Sequence, residues 1–373
     1  MSGLRPSIAL TEPPPPERPN FFALYPPPDI QRAQPRSAFP STSTRRPDLF
    51  APSLLFKRRL TLLSDLSIDF RGAGGKVPQV ENLLKNTRLT LDGIISNEKT
   101  GDEQGGIRLQ AVSEVLDGKQ HIVPSEIYVF YKFSVPGASA TVRGGQFVIP
   151  FGLAAVYDTS MHPFQTLYSD SVGIRVDRGA MVEGEYGTFH YAGSISAGTG
   201  PNADFGYTRT VLAARLDRHF LTQSGRLQVG GSMLAGRLPD VSPMDISRLS
   251  GGVKRGTTVV KSRFAADVQY FVGKYAARGE VIFGADEELP VWGFYIDGRI
   301  GISSREGLFV GLKRWDYRTQ PLSSFQSAAG YERTVGPYQT LRAMITLGRI
   351  DPLPEPNRTQ ITRQLIIQSF WKF

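Results

Sequence analysis

Apolar and polar residues alternate along this chain from about residue 57 to its end. In the stretch 259–270, VVKSRFAADVQY, the apolar residues Phe264 and Val268 share one parity, whereas Lys261 and Arg263 take the other. A period of two places successive side chains on opposite faces of a β-strand. The helical period of 3.6 residues is not sustained anywhere. The pattern therefore predicts an all-β fold whose strands have one apolar and one polar face.

The alternating stretches and the turn residues between them divide the chain into sixteen predicted strands. We place these strands near 57–71, 86–98, 105–117, 124–134, 139–149, 171–186, 188–198, 207–217, 225–236, 256–271, 274–285, 290–302, 307–316, 327–334, 338–349 and 361–373. The number is even, so both ends of the chain fall on the same side of the sheet.

The connections between these strands fall into two sets. One set holds all the long loops and lies at 72–85, 118–123, 150–170, 199–206, 237–255, 286–289, 317–326 and 350–360. The other set holds only short turns, such as VPGA and VGP. Transmembrane barrels carry their long loops at one end and their short turns at the other, whereas the architecture of a soluble sandwich does not require this separation. We therefore expect a transmembrane antiparallel β-barrel with both termini on the short-turn side.

The polar face carries full charges at many positions. We expect the following residues to line the lumen: Arg108, Glu114, Arg143, Arg175, Arg209, Arg215, Lys261, Arg263, Arg278, Arg299 and Arg342. In a dry core each charge would require a partner, whereas a water-filled pore solvates it. The apolar face would then contact membrane lipid. A small excess of basic residues predicts a mild preference for anions.

The first 54 residues differ in composition from the rest. Thirteen of the 27 prolines fall within residues 1–52, which disfavours helix and central strand. We expect residues 1–54 to be a disordered, proline-rich periplasmic segment and residues 55–373 to form the barrel. The first twenty residues show no apolar core of a secretory signal.

Composition argues against several other functions. The 373 residues include no cysteine, so disulfides and thiolate metal sites are excluded. The formal charge of +9 is spread along the chain, which does not favour nucleic-acid binding. We expect no metal and no cofactor.

Catalysis is also disfavoured by spacing. His190 and Ser194 share one face of a predicted strand, but four strand residues separate them by about 13 Å. That distance exceeds the hydrogen bond that activates a serine nucleophile. We therefore expect no enzymatic activity.

Two stretches resemble bacterial outer-membrane proteins. The end of the chain, LIIQSFWKF, resembles the C-terminal signal of outer-membrane barrels, which implies recognition of Phe373 by the barrel assembly machinery. The stretch 126–153 resembles outer-membrane porins, especially the phosphate-selective porin O and P type. The residues that carry this resemblance are Gly145, Gln146, Phe147, Pro150, Phe151 and Gly152.

The porin resemblance implies a location in the bacterial outer membrane with both termini periplasmic. It implies passive diffusion of small hydrophilic solutes, and a homotrimer as one assembly. The loop at 150–170 would fold inward and narrow the pore through Tyr157, Asp158, His162 and Tyr168. Packing of that loop on the rim is the alternative. An alternative function is a structural or adhesive platform without an open pore.

Overall fold

The computed structural model describes residues 54–73, 79–81, 87–97, 102–116, 119–155, 164–200, 210–222, 225–239, 258–317, 322–352 and 360–372. In these residues seventeen strands form one antiparallel sheet. The strands are β1 (Leu54–Ala73), β2 (Gln79–Glu81), β3 (Arg88–Asn97), β4 (Glu103–Leu116), β5 (Lys119–Val135), β6 (Ala138–Val148), β7 (Val176–Tyr186), β8 (Phe189–Ser196), β9 (Val211–Leu221), β10 (Gly225–Pro239), β11 (Thr258–Val272), β12 (Tyr275–Asp286), β13 (Leu289–Gly301), β14 (Glu306–Tyr317), β15 (Leu322–Thr334), β16 (Gln339–Pro352) and β17 (Gln360–Lys372).

The sheet closes on itself as a ring. Strand β1 pairs with β3 on one side and with β17 on the other, while all other strands pair with their neighbours in the chain. The short strand β2 pairs with β1 beyond the end of β3, so the two occupy one position of the ring. The ring therefore has sixteen positions, as the sequence predicted. Closure pairs the backbone groups that an edge strand would leave open.

The two faces of the strands differ in the opposite sense to a soluble protein. In β11, the side chains of Phe264 and Val268 are exposed, whereas those of Lys261, Arg263 and Asp267 are buried. The predicted parity is therefore confirmed, and the apolar side chains form the outer surface. An apolar exterior around a polar interior is the arrangement of a barrel that spans a bilayer.

The connections are sorted between the two ends of the barrel. One end, which we call the short-turn end, carries the connections 98–102, 136–137, 187–188, 222–224, 273–274, 302–305 and 335–338. The other, the long-loop end, carries the longest ones, at 149–175, 197–210 and 240–257. It also carries the short connections 117–118 and 287–288, which are shorter than the predicted loops 118–123 and 286–289. In the described part of the chain, no helix has the length and apolar character needed to span a membrane.

Three predicted strands begin five residues away from the observed start: β5 begins at Lys119 and not at 124, β15 at Leu322 and not at 327, and β7 at Val176 and not at 171. The last of these differs in kind. The sequence predicted a strand from residue 171, but residues Tyr168–Ser171 form a single helical turn, α1, and β7 begins at Val176. Val172 and Ile174 alternate with polar residues as a strand would, yet both are buried in a core inside the ring. Burial by tertiary packing, not strand pairing, explains this local pattern.

Candidate functional site

The connection between β6 and β7 enters the barrel. We call its described residues, 149–155 and 164–175, the inward segment. Its buried apolar side chains are Ile149, Phe151, Leu153, Phe164, Leu167, Tyr168, Val172 and Ile174. They form one core with wall residues of β9–β17, among them Trp315 and Met344. Packed apolar side chains therefore occupy the β9–β17 side of the lumen.

Polar contacts fix the first half of the inward segment to the wall. The backbone N–H of Gly152 donates to Ser232 Oγ at 2.8 Å, and its carbonyl accepts from Arg215 Nη1 at 3.0 Å. The N–H of Leu153 donates to Glu280 Oε1 at 2.6 Å. These wall residues lie on β9, β10 and β12, so the segment is anchored across several strands.

Two glycines of the porin-like stretch have geometric roles that other residues cannot fill. Gly152 has φ +61°, and a Cβ there would collide with the carboxylate of Glu280. Gly145 has φ +135°, and a Cβ would collide with the carbonyl oxygen of Ile127 on the adjacent strand. Both positions combine a backbone conformation that favours glycine with close approach of a neighbouring group.

The second half of the inward segment is held by a ring and an ion pair. The ring of Phe164 stacks on Tyr295 of β13 with centroids 5.6 Å apart. Gly311 of β14 leaves the space for this ring, because a Cβ there would collide with it. Asp170 of α1 accepts a hydrogen bond from Lys313 Nζ at 3.1 Å, and both side chains are buried.

Tyr168 and Lys261 complete the anchoring. The hydroxyl of Tyr168 donates to the carbonyl of Arg175 at 3.2 Å. Burial raises the pKa of Tyr168 above its usual range, so the phenol stays protonated at neutral pH. Lys261 Nζ of β11 donates to the carbonyl of Val172 at 3.2 Å. Tyr168 therefore stabilises the inward segment from within its core.

The wall beneath the inward segment contains buried ion pairs. Arg215 donates to both carboxylate oxygens of Asp267, at 2.6 and 2.9 Å. Glu332 serves two cations, Arg299 and Arg342, the latter at 3.0 Å. Further pairs are Arg263–Asp286 and Arg278–Asp297. The side chains in these pairs are 0–12% exposed.

The opposite wall, formed by strands β3–β7, carries ion pairs that water reaches. These pairs are Arg108–Asp92 at 2.7 Å, Arg108–Glu126 at 3.5 Å, Lys132–Glu103 at 2.5 Å, and Arg143–Glu183. Their side chains are 13–35% exposed, so they are partly solvated although they face the interior. The polar lumen is thus divided into a packed side and an open side.

A histidine pair lies between the two walls, towards the short-turn end. His190 Nδ1 and His219 Nε2 contact the two carboxylate oxygens of Asp217 at 3.1 and 3.2 Å. Gln228 donates to the same carboxylate at 2.9 Å. His190 is therefore hydrogen-bonded to a buried carboxylate on the next strand. In the described residues, no group of three or more potential metal-ligating side chains is arranged to hold a metal ion.

The structure describes most of the residues predicted to line the lumen. Eight of them have partners inside the ring: Arg108, Arg143, Arg215, Lys261, Arg263, Arg278, Arg299 and Arg342. Arg175 is half-buried at the end of the inward segment. Arg209 and the side chain of Glu114 lie outside the described residues, as do Phe373, Tyr157, Asp158 and His162.

Some charged residues that form ion pairs inside the ring were not singled out by the sequence. They are Asp170, Asp217, Asp286, Lys313 and Glu332. Asp217 follows Arg215 by two positions, so the shared parity of the two charges was an available signal. Lys313 is next to Arg314, and two consecutive basic residues do not indicate which of them faces the interior. Asp170 lies in an irregular segment, where parity carries no information.

The closed ring, its apolar exterior and its polar interior define a transmembrane β-barrel. Solved outer-membrane proteins share this fold. The trimer form of OmpT, an outer membrane protein of Vibrio cholerae, is 11% identical, with a TM-score of 0.58 over 85% of this chain and 99% of OmpT. The outer membrane channel DcaP of Acinetobacter baumannii is also 11% identical, with a TM-score of 0.58 over 85% of this chain and 97% of DcaP.

An anion-selective porin from Comamonas acidovorans is 9% identical, with a TM-score of 0.56 over 86% of this chain and 100% of the porin. Neither a protein-family model nor a curated protein matches the chain by sequence. The likeness to known proteins is therefore a likeness of fold.

Proposed function

We propose that this protein is an outer-membrane porin that lets small hydrophilic solutes diffuse passively. The observation that carries the proposal is the division of the lumen. Ion pairs on the β3–β7 wall are 13–35% exposed, whereas those on the β9–β16 wall are 0–12% exposed under the inward segment. Solutes would pass along the β3–β7 wall, and no chemical step is required.

We propose weak ion selectivity for this passage. The described pairs on the open wall contain three cations, Arg108, Lys132 and Arg143, and four carboxylates, Asp92, Glu103, Glu126 and Glu183. Such a nearly balanced set produces little net field. The mild anion preference expected from the sequence therefore depends on other residues, such as Arg175 and Arg209. Reversal potentials in a salt gradient test it.

The narrowing of the passage by the β6–β7 connection is part of the same proposal. The inward segment occupies one side of the lumen, and Tyr157, Asp158 and His162 belong to the same connection. We infer that these three residues face the passage, while Tyr168 supports the segment from behind. Reversing the charge at Asp158 should change ion selectivity. Unchanged selectivity and conductance would count against this role.

The fold also supports a proposal about location and assembly. We propose that the barrel lies in the bacterial outer membrane, with the short-turn end and both termini in the periplasm. Phe373 would be read by the barrel assembly machinery. A homotrimer is supported by the likeness to OmpT, which is described in a trimer form. The porin O and P resemblance of the stretch 126–153 supports the porin class, while the solute remains open.

A structural or adhesive platform is the second candidate. The observation that favours it is the apolar core inside the ring, which fills the β9–β17 side of the lumen. Planar-bilayer recording separates the two functions. Refolded protein that forms reproducible channels, and admits small sugars into liposomes, supports the porin. Folded barrels that conduct no current would support the platform.

A further inference from the structure

Arg143 has hydrogen-bonding capacity that the described residues do not use. It lies at the middle of β6 on the interior face and is partly exposed. A guanidinium carries five N–H donors, and the described residues accept from one of them, through the hydrogen bond of Nη2 to Glu183 Oε1. The second carboxylate oxygen of Glu183, which is also partly exposed, accepts no hydrogen bond from the described residues. A basic and an acidic group with unused capacity therefore lie side by side on the open wall.

The orientation of Arg143 is fixed by an aromatic ring. Its guanidinium lies over the ring of Tyr128 on β5, 4.9 Å from the ring centroid. Tyr128 is buried and packs with Phe147 and Met181 in a small core on this wall. A guanidinium that is already stacked on a fixed ring loses little further freedom when it binds a solute. The open wall therefore presents a preorganised set of donors to the water in the lumen.

The other two cations of the open wall differ from Arg143. Arg108 donates from Nε, Nη1 and Nη2 to two neighbouring carboxylates, so all of its nitrogens are engaged. Lys132 donates to Glu103 at 2.5 Å, and its ammonium is a point charge on a flexible stem without a planar edge. Among the described pairs of this wall, Arg143 and Glu183 thus combine free donors, a free acceptor and a fixed orientation.

We propose that Arg143 and Glu183 bind zwitterionic solutes of the α-amino-acid class as these pass along the open wall. The solute carboxylate would accept from the free donors of Arg143, while the solute ammonium would donate to the second oxygen of Glu183. In an α-amino acid both groups are attached to one carbon, which suits two protein groups that are themselves in contact. A simple anion would be repelled by Glu183, and a simple cation by Arg143. This inference rests on the proposed porin function and names its substrate class.

The test compares the uptake of two isomers, L-alanine and lactamide, into liposomes that contain the refolded full chain. The two solutes have the same atoms, but only alanine is a zwitterion at neutral pH. Isotope-labelled solutes are supplied at low concentration, and entry into protein-free liposomes is subtracted. We expect alanine to enter about threefold faster than lactamide, as one partly exposed charge contact allows. In the variant R143Q/E183Q, which keeps the net charge, this ratio should fall to about one, while lactamide entry stays the same.

The matched control is E103Q/K132Q, which removes another partly exposed pair of the same wall and also keeps the net charge. This control should retain the threefold ratio. An equal fall in both double variants would overturn the proposal, as would a wild type that admits both isomers at the same rate. Faster entry of lactate than of alanine would also overturn it, because the site would then select anions.

The same measurements separate this proposal from the porin function. Lactamide entry without a preference for alanine contradicts the zwitterion site and leaves the porin intact. Exclusion of both isomers by folded barrels contradicts the porin, and the zwitterion site with it. Heat-modifiable electrophoretic migration confirms that each variant is folded.

Discussion

Gly152 is a residue where the inward segment packs tightly against the barrel wall. Its φ of +61° lies in the left-handed region, and the carboxylate of Glu280 occupies the space of a Cβ. The same carboxylate accepts the N–H of Leu153. A side chain at this position therefore meets backbone strain and a steric collision together, and the collision acts on the group that anchors the next residue.

We predict that Gly152→Ala destabilises the barrel by about 3 kcal/mol, the sum of left-handed strain and the loss of one buried hydrogen bond. The control is Gly187→Ala, because Gly187 has φ +60° and nothing lies within 4 Å of its Cβ position. Strain alone should cost the control about 1 kcal/mol. Urea unfolding in detergent micelles measures both values. Equal losses would show that the contact with Glu280 does not matter.

Glu332 is the counterpart of two cations on the packed wall. It contacts Arg299 and Arg342, and all three side chains are buried. Removing the charge of Glu332 leaves these two buried cations without their shared counter-ion. The pair of Arg143 and Glu183, by contrast, is partly solvated. The two carboxylates therefore test whether burial determines the energetic weight of an ion pair.

We predict that Glu332→Gln lowers the free energy of unfolding by about 4 kcal/mol, as expected when a buried charge loses its partner. Glu183→Gln should change it by less than about 1 kcal/mol, because water screens that pair. Urea titrations of the two variants at neutral pH provide the comparison. Similar effects at both positions would mean that water also reaches the β13–β16 wall.

At the scale of elements, alternation in sequence was sufficient to place most strands within about five residues of their observed ends. Lys261 and Arg263 have the parity that puts them inside the ring, and the bounds of β11 differ from the predicted 256–271 by only one or two residues. The inward segment was less predictable. Val172 and Ile174 alternate like a strand but pack inside the lumen. Parity reports which face is apolar, and it does not report what that face contacts.

Phe164 tests whether the inward segment narrows the passage. Its ring stacks on Tyr295, and Phe164→Ala should loosen the second half of the segment. We predict a higher single-channel conductance, more current noise and a loss of stability of about 3 kcal/mol. The control is Phe264→Ala on the outer face, where Phe264 stacks on Phe283 at 5.8 Å. This control should leave conductance unchanged. An unaltered conductance in both variants would contradict a constricting role.

At the scale of the whole molecule, the sequence predicted a closed barrel but not an uneven lumen. The strand count, the loop sorting and the two faces all follow from local patterns. The division of the lumen does not, because it depends on which wall the inward segment contacts. That choice is made by contacts distant in sequence, such as Gly152 with Arg215 and Asp170 with Lys313. A pattern of period two contains no information about these pairs.

The position of the water can be tested directly, because the chain has no cysteine of its own. Thr141 on β6 lies in register with Glu183 on the open wall and is half-buried, whereas Ala328 on β15 belongs to the core under the inward segment. We predict that Thr141→Cys reacts rapidly with a charged, membrane-impermeant thiosulfonate, and that Ala328→Cys reacts at least about a hundredfold more slowly because it requires local opening.

Modification of Thr141→Cys should also reduce the single-channel current, since it adds a bulky charged group beside the passage. Two outcomes would contradict the divided lumen. Rapid reaction at both positions would mean that water fills the β9–β17 side as well. Slow reaction at both would mean that the β3–β7 side is closed. In that case the ring would be a sealed barrel, and the platform function would replace the porin.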